Sequence, residues 1–139
     1  MSERLFGARV RRREDARLVT GRGRYVADVA LPGLLHVAVV RSPHAHAVIV
    51  HVDAEAARRC AGVVCVLVPA DVAALERLPL LVPHPSLQTP ACAEILPQAI
   101  VSYPGQAVAV VVAETAAQAE DARDALRIDY ELLPAVTSM

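Results

Sequence analysis

The order of apolar, β-rich runs and helix-start signals constrains this sequence more than any other feature. The run AVIVHV (47–52) is followed by Asp53, a good helix N-cap, and then by residues that favour a short helix over 54–60. Gly62 stands where the left-handed conformation that ends many helices belongs, and VVCVLV (63–68) is again β-rich. These residues predict a strand, a short helix and a second strand.

The same order recurs nearer the C-terminus. The run AVAVVVA (107–113) is followed by AAQAEDARDA and then by RIDYEL (127–132). Thr115 and Gln118 have the Thr-x-x-Gln spacing of a capping box, which marks where this second helix begins. Two such units predict an α/β (α+β) fold with a mixed sheet built from two β-α-β units.

Side-chain patterns in the second unit indicate how it packs. Ala116, Ala119 and Ala122 recur every third residue, so one helix face is nearly bare and can approach a sheet closely. Charged and apolar residues alternate along 127–132, which is typical of a strand with one wet face. We therefore expect this last strand to lie near the edge of a sheet.

The 139-residue chain has the length of a single domain, preceded by an arm. Residues 1–33 lack periodicity and carry turn signals, so we interpret them as an extended, arginine-rich arm. The domain proper is then 34–139, with a proline-rich connection over 69–104 that holds seven of the ten prolines. Within it, LLHVAVV (34–40) and 47–52 are predicted to form a strand pair.

Charge is distributed unevenly along the chain. Residues 1–24 hold eight arginines and three acidic residues, a net +5, which leaves −6 for the remainder because the whole chain is −1. Arginine forks suit carboxylates and protein interfaces, but all basic residues here are arginine, so composition alone also explains the enrichment. Binding of nucleic acid is disfavoured, since the chain has a pI near 6.5 and the arm has few aromatic residues.

Several protein classes are excluded by composition. The apolar runs are far shorter than the roughly 18 residues needed to cross a bilayer, and the charged N-terminus has no apolar region typical of a secretory signal. The three cysteines, Cys60, Cys65 and Cys92, form no CxxC pair, so we interpret them as small buried hydrophobes. These features favour a cytoplasmic protein without a membrane partner.

The histidines are the first candidates for chemistry. His44 and His46 alternate, with His51 nearby, and two imidazoles on one side of a strand could share a metal ion. No Cys, Asp or Glu stands at a spacing that would supply the remaining ligands, so a structural role is favoured. Ser42, His44 and Asp53 could be imagined as a hydrolytic triad, but no G-x-S-x-G nucleophile elbow is present.

A phosphate-binding loop is also not supported. Gly21-Arg22-Gly23 has no preceding strand and no third glycine, so it falls short of a dinucleotide fingerprint. The segment DVAALER (71–77), inside the proline-rich connection, is expected to form one or two helical turns. We therefore assign no catalytic, cofactor-binding or metal-binding residue from these patterns.

A set of motifs spread over nearly the whole chain resembles a known family. RRREDARLVTGRGRY, ALPGLLHVAVVRSPHAHA, SYPGQAVAVVVAETAAQAEDARDAL and IDYELLPAV are together similar to the start of the large, molybdenum-binding subunit of xanthine dehydrogenase, aldehyde oxidase and carbon monoxide dehydrogenase. The resemblance implies the α/β hammerhead domain of a molybdenum hydroxylase. Ala16, Ala107 and Leu132 depart from it, since family sequences often have proline at or beside these positions.

The resemblance also carries implications for function. It implies that Arg41, Ser42, Pro43, His44 and His46 form a structural family signature, and that the family's catalytic glutamate and pterin-binding loops belong to other domains. The assembled enzyme would be an oxidoreductase with molybdopterin, iron-sulfur clusters and FAD. Its implied partners are the molybdenum-binding remainder of the large subunit and the iron-sulfur and flavin subunits.

Two hypotheses for function follow from these implications. The chain is either a structural or assembly domain, or separately encoded subunit, of such an enzyme, inactive when isolated, or a free-standing, non-catalytic binding module that keeps the hammerhead fold. In the first case we expect the arm and the segment 69–104 to be the docking surfaces.

Overall fold

The computed structural model describes residues Gly7, Arg9, 12–75, Ser86 and 94–136. The chain divides into two units, Met1–Pro32 and Gly33–Met139. In the first unit, helix α1 spans Asp15–Val19 and a 3-10 turn spans Val26–Asp28. The predicted extended arm therefore contains short helical turns.

Local side-chain bonds explain these turns in the first unit. The Thr20 hydroxyl donates to the Ala16 carbonyl at 2.7 Å, and Asp28 accepts from the Tyr25 amide at 2.9 Å. Such contacts lie within three or four residues, so they stabilise a single turn without an apolar face or a core. This is why helical periodicity is not visible in the sequence here.

The second unit contains six strands and three helices in the described residues. The strands are β1 (His36–Arg41), β2 (Ala47–Asp53), β3 (Val63–Leu67), β4 (Ile100–Val101), β5 (Ala107–Ala113) and β6 (Arg127–Leu132). The helices are α2 (Glu55–Arg58), α3 (Pro69–Val72) and α4 (Ala116–Ala125). The α/β class and both strand-helix-strand orders are thus confirmed.

The strands form two antiparallel sheets. The first sheet has the order β1-β5-β3 and the second has the order β4-β2-β6. The expectation of one mixed sheet was wrong, because each helix crosses from a strand of one sheet to a strand of the other. The link through α2 is too short for the dozen or so residues that a parallel crossover needs. The expected pairing of β1 with β2 was also wrong.

One face of the first sheet packs against α2 and α4. The buried residues on the sheet side are Ala38, Val66, Ala109, Val111 and Ala113, and those from the helices and their ends are Ala54, Ala57, Ala119, Ala122 and Leu126. The small side chains of α4 allow the close approach to the sheet that the sequence predicts. Of the predicted alanine face, Ala119 and Ala122 are buried, whereas Ala116 is exposed.

Turn and cap residues hold α2 and α4 in place. Asp53 accepts from the Glu55 amide at 3.0 Å, and Thr115 accepts from the Gln118 amide at 3.3 Å. Gly62 has φ +77°, and a Cβ there would overlap the Gln118 side chain at 2.3 Å. Glycine is therefore favoured at this turn for its left-handed conformation, and a larger residue would also displace the Gln118 side chain.

The second sheet has its own small core. Ala47 and Val101 are buried together with Val108 of β5, and Ile128 and Tyr130 pack against them. β6 is an edge strand, as its alternating pattern predicts. The two-residue strand β4, in contrast, has no recognisable pattern in the sequence.

The proline-rich connection is described only in part. Helix α3 begins at Pro69, before the predicted segment 71–77, because proline suits the first helical turn and Asp71 accepts from the Val68 amide at 2.8 Å. Of residues 76–93, Ser86 alone is described, so most of this connection and Cys92 lie outside the described residues. The expected burial of cysteines was wrong for Cys65, which is exposed.

Candidate functional site: the loop between the two sheets

The signature residues lie in the loop 42–46, which leaves the first sheet at β1 and enters the second at β2. The Ser42 amide donates to the Gln106 carbonyl at 2.8 Å, and the Gly105 amide donates to the Ser42 carbonyl at 2.7 Å. The Arg41 guanidinium also donates to the Gly105 carbonyl, at 2.8 Å. The start of the loop is thus fixed to the turn that precedes β5.

Ser42 is the one buried polar residue recorded in the described core, with 2% of its surface exposed. Its hydroxyl accepts from the His44 amide at 3.0 Å and lies 3.2 Å from the His44 carbonyl, to which it donates. Ser42 therefore closes a tight turn around Pro43 and satisfies two backbone groups that have no partner strand.

His44 makes an aromatic contact with the second sheet. Its ring lies edge-on to Tyr130 of β6, with centroids 4.9 Å apart and planes at 74°. The Tyr130 hydroxyl is buried beside Ser42. Among the described residues, no group is positioned to form a hydrogen bond of normal geometry with it. Burial raises the pKa of Tyr130, and the Ser42 hydroxyl offsets this only in part. The phenol is therefore neutral at physiological pH.

His46 fixes the end of the loop to the residues after β6. Its Nδ1 lies 2.7 Å from the Pro134 carbonyl oxygen, and the Leu133 amide donates to the His46 carbonyl at 3.0 Å. Because a carbonyl only accepts, Nδ1 carries the proton. The imidazole is thus engaged in a contact within the chain.

The structure does not assemble the other candidate sites. His51 is exposed on β2, and within residues 12–75 and 94–136 no group of three His, Cys, Asp or Glu could hold a metal ion. The imagined triad is not formed, since Asp53 caps α2 and the Ser42 hydroxyl bonds the main chain of His44, not its ring.

Gly21-Arg22-Gly23 ends helix α1 and does not begin one. Gly21 has φ +69°, and the Arg22 amide donates to the Arg17 carbonyl at 2.8 Å. This is the geometry of a helix C-terminus, where backbone carbonyls are exposed and a phosphate is not attracted. Arg12 and Arg17, from the same arm, both pair with Glu14.

The residues of the loop do not fit a molybdopterin site. The side chains of Ser42 and His46 are bonded to main-chain atoms, the His44 ring packs on Tyr130, and the buried hydroxyl beside the loop is the neutral phenol of Tyr130 in β6. A pterin needs several free donors and acceptors that converge on it. No step of an oxidation is therefore assigned to the residues described.

Sequence patterns gave no indication of the contact surfaces for this loop. Gly105, Tyr130 and Pro134 hold it, but each lies more than 50 positions away in the chain. The sequence shows a Pro-Gly pair typical of a turn at 104–105, but it does not indicate that this turn contacts Arg41 and Ser42. Only the pairing of strands brings these residues together.

Two small antiparallel sheets, connected by short helices and braced by a histidine-containing loop, define an α/β hammerhead domain. The model of the aldehyde oxidase and xanthine dehydrogenase a/b hammerhead domain matches residues 20–134. The chain therefore belongs to this family, the hammerhead domains of molybdenum hydroxylase large subunits.

Relatives of known identity agree with this assignment. The chain is 39% identical over 140 residues to the nicotine 6-hydroxylase large subunit of Paenarthrobacter nicotinovorans, a match that covers 98% of this chain and 17% of the relative. The structure of quinoline 2-oxidoreductase from Pseudomonas putida 86 superposes with a TM-score of 0.85 at 46% identity, over 94% of this chain and 16% of the other.

A structure of a Cu,Mo-CO dehydrogenase gives a TM-score of 0.81 at 38% identity, over 95% of this chain and 16% of the other. The chain thus spans about a sixth of the length of the relatives it matches. In the part of the chain that the structure describes, no helix is both long and apolar enough to cross a bilayer.

Proposed function

We propose that this chain supports the molybdenum site of an oxidoreductase and supplies no catalytic residue itself. The observation that carries the proposal is the loop 42–46. Its serine bonds the main chain of His44, its second histidine bonds Pro134, and the arginine that precedes it bonds Gly105. Side chains that are bonded in this way stabilise the shape of the loop, which supports a role without catalysis.

These bonds stabilise the connection between the two sheets, the loop from β1 to β2. The bond from the Ser42 amide to Gln106 extends the pairing of β1 with β5. The bond from the Leu133 amide to His46 extends the pairing of β2 with β6. Only three residues lie between Ser42 and His46, so these two bonds restrict how far one sheet can move against the other. A domain that supports a neighbour needs such rigidity, because small displacements at a site cost much of its activity.

In the assembled enzyme, molybdopterin, iron-sulfur clusters and FAD would supply the redox chemistry. The relatives support a molybdenum enzyme built of several subunits, since one is a Cu,Mo-CO dehydrogenase and another is a large subunit. The partners we propose are the molybdenum-binding remainder of the large subunit and the iron-sulfur and flavin subunits. The isolated chain is proposed to be inactive.

Purification from the native host tests the proposal. A tagged chain should be recovered with peptides of the molybdenum-binding remainder and with stoichiometric molybdenum, and only this complex should oxidise an aromatic heterocycle or aldehyde. Recovery of the chain alone, without molybdenum, would favour the free-standing binding module instead.

The arm is proposed as one docking surface. Deleting residues 1–24 should abolish recovery of the remainder and leave the circular dichroism of the domain unchanged. A control chain in which the arginines of this segment are replaced by lysine keeps the charge but loses the bidentate geometry. Unchanged recovery after the deletion would rule out docking through the arm.

A further inference from the structure

Among the residues that the structure describes, no helix packs against one face of the first sheet, which we call the open face. Residues directly opposite each other on neighbouring strands point to the same side of a sheet. The pairing therefore places two rows of side chains on this face: Val37, Val112 and Cys65 in one row, and Val39, Val110 and Leu67 in the next.

The alternate residues point to the other face of the sheet. Ala38, Val111 and Val66 form the row between these two, and all three are buried beneath α2 and α4. Since successive side chains of a strand alternate, the residues of the open face cannot share this cover. Both sides of the sheet are thus apolar, but helices of this chain cover one.

Val39 of the edge strand β1 is half-buried, and elsewhere on the open face exposure decreases from the edges to the centre. Val37 on β1 is 60% exposed, Cys65 and Leu67 on β3 are exposed, and Val110 and Val112 on the central strand are half-buried. All six residues are uncharged. An apolar sheet face of this kind is normally buried against another element.

The size of the open face indicates its occupant. Three strands about 4.8 Å apart and two rows about 6.7 Å apart cover roughly 200 Å². A stable interface between separate proteins buries about 800 Å² on each partner. A second copy docked on this face alone would be held too weakly, so the occupant must also be attached elsewhere.

The rest of the large subunit meets this requirement. The relatives are about six times longer than this chain, so most of their mass lies outside the region that it matches. A domain that is joined to this one by the polypeptide, or held to it by other contacts, loses little additional translational and rotational entropy when it binds a small patch. Its contacting surface must be free of charge, because no group on the open face could pair with one.

We propose that an uncharged aliphatic surface of the molybdenum-binding remainder covers the open face in the assembled enzyme. This inference rests on the proposed function and adds a defined contact to it. A charge placed on the open face would then be buried without a partner when the two parts assemble.

A matched pair of substitutions tests the proposed contact. Val37→Asp places a charge on the open face, whereas Val50→Asp places one on β2 of the second sheet, where Val50 is 62% exposed. Leu67→Asp repeats the test at the opposite edge of the face. Recovery of the remainder with a tagged chain, or molybdenum content where both parts form one polypeptide, should fall at least about tenfold for Val37→Asp and Leu67→Asp. It should remain unchanged for Val50→Asp.

Cys65 gives a second measurement that needs no disruptive change. In a chain with Cys60→Ser and Cys92→Ser, Cys65 is the single thiol, and it is exposed in the free domain. Iodoacetamide should modify it readily in the free chain and at least about tenfold more slowly in the complex. Thermal unfolding of each variant shows that the domain still folds.

The outcomes separate the two proposals. If the wild-type chain recovers the remainder but Val37→Asp and Leu67→Asp do so equally well, or Cys65 reacts as fast in the complex, the open face is not the contact and the proposed function stands. If Val37→Asp converts a dimer of this chain to a monomer, a second copy is the occupant and the inference is overturned. If the wild-type chain recovers no remainder, the proposed function itself fails.

Discussion

The two faces of the first sheet are built from similar residues, but one is buried under helices and the other is partly exposed. Val66 and Val111 lie under two helices, while their neighbours Cys65, Leu67 and Val112 point away from those helices. In proteins with this layer arrangement, an apolar sheet face is normally covered by another element. Among the described residues, helices thus cover one face of the sheet and leave the other uncovered.

The difference shows where the stability of the isolated domain arises. Burial under α2 and α4 is available to the domain alone, so the covered face contributes to its free energy of unfolding. Contacts of the open face would contribute to assembly instead. Substitutions on the two faces should therefore affect different measurements, even where the residues are adjacent in sequence.

The largest effect is expected for a charge on the covered face. Val66→Asp places a carboxylate among Ala57, Val111 and Leu126 without a partner, which should cost about 4 kcal/mol of unfolding free energy or prevent folding. Cys65→Asp, one residue earlier, should change it by less than about 0.5 kcal/mol. Urea unfolding followed by circular dichroism measures both. Equal losses would show that the two faces are not distinct.

Overpacking between α4 and the sheet should have the next largest effect. Ala122→Leu inserts three carbon atoms against Ala109 and Val111, so we expect a loss of about 1–3 kcal/mol. Ala117→Leu, on the exposed side of the same helix, should be neutral because leucine is a good helix former. A fully tolerated Ala122→Leu would mean that the helix is not held close to the sheet.

A substitution in the loop between the sheets should lower the unfolding free energy without changing contacts made by the open face. Ser42→Ala removes a hydroxyl that bonds both the amide and the carbonyl of His44, which should cost about 1–2 kcal/mol. The control Ser102→Ala, at an exposed serine, should be silent. Assembly with the remainder should persist at temperatures where Ser42→Ala is still folded. Loss of assembly by the folded variant would link the loop directly to the partner.

Much of this fold could be predicted from local signals. Helix α4 and strands β5 and β6 agree with the sequence because Thr115, the alanine spacing and the alternation in 127–132 are all contained within short segments. The distribution of strands between two sheets could not be predicted, since it depends on pairing between residues far apart in the chain. Neither Arg41 nor Gly105 indicates that they are bonded across 64 positions.

The same limit applied to the candidate site. The signature histidines were expected to be structural, but their partners Tyr130 and Pro134 were not identified, because contacts across strands leave no spacing rule. The exposure of Cys65 was missed for a related reason. A run such as VVCVLV is apolar on both sides of the strand, and the sequence does not state which side a helix covers.

The smallest effect on the unfolding free energy is expected for Tyr130→Phe. The Tyr130 hydroxyl is buried without a hydrogen bond that meets normal geometry, so Tyr130→Phe should leave the unfolding free energy unchanged or raise it by up to about 1 kcal/mol. A decrease of more than this would show that the hydroxyl bonds Ser42 in solution.

The pH dependence of the same variant gives an independent readout. Burial raises the pKa of Tyr130 in the folded domain above its usual value of about 10, so the unfolded chain loses this proton first as pH increases. The stability that this group contributes is complete below pH about 10 and is lost as pH rises from there through the folded pKa. The wild-type domain should therefore lose stability more steeply than Tyr130→Phe in alkaline urea unfolding. Parallel curves for the two proteins would mean that Tyr130 titrates normally and that its phenol is in contact with water.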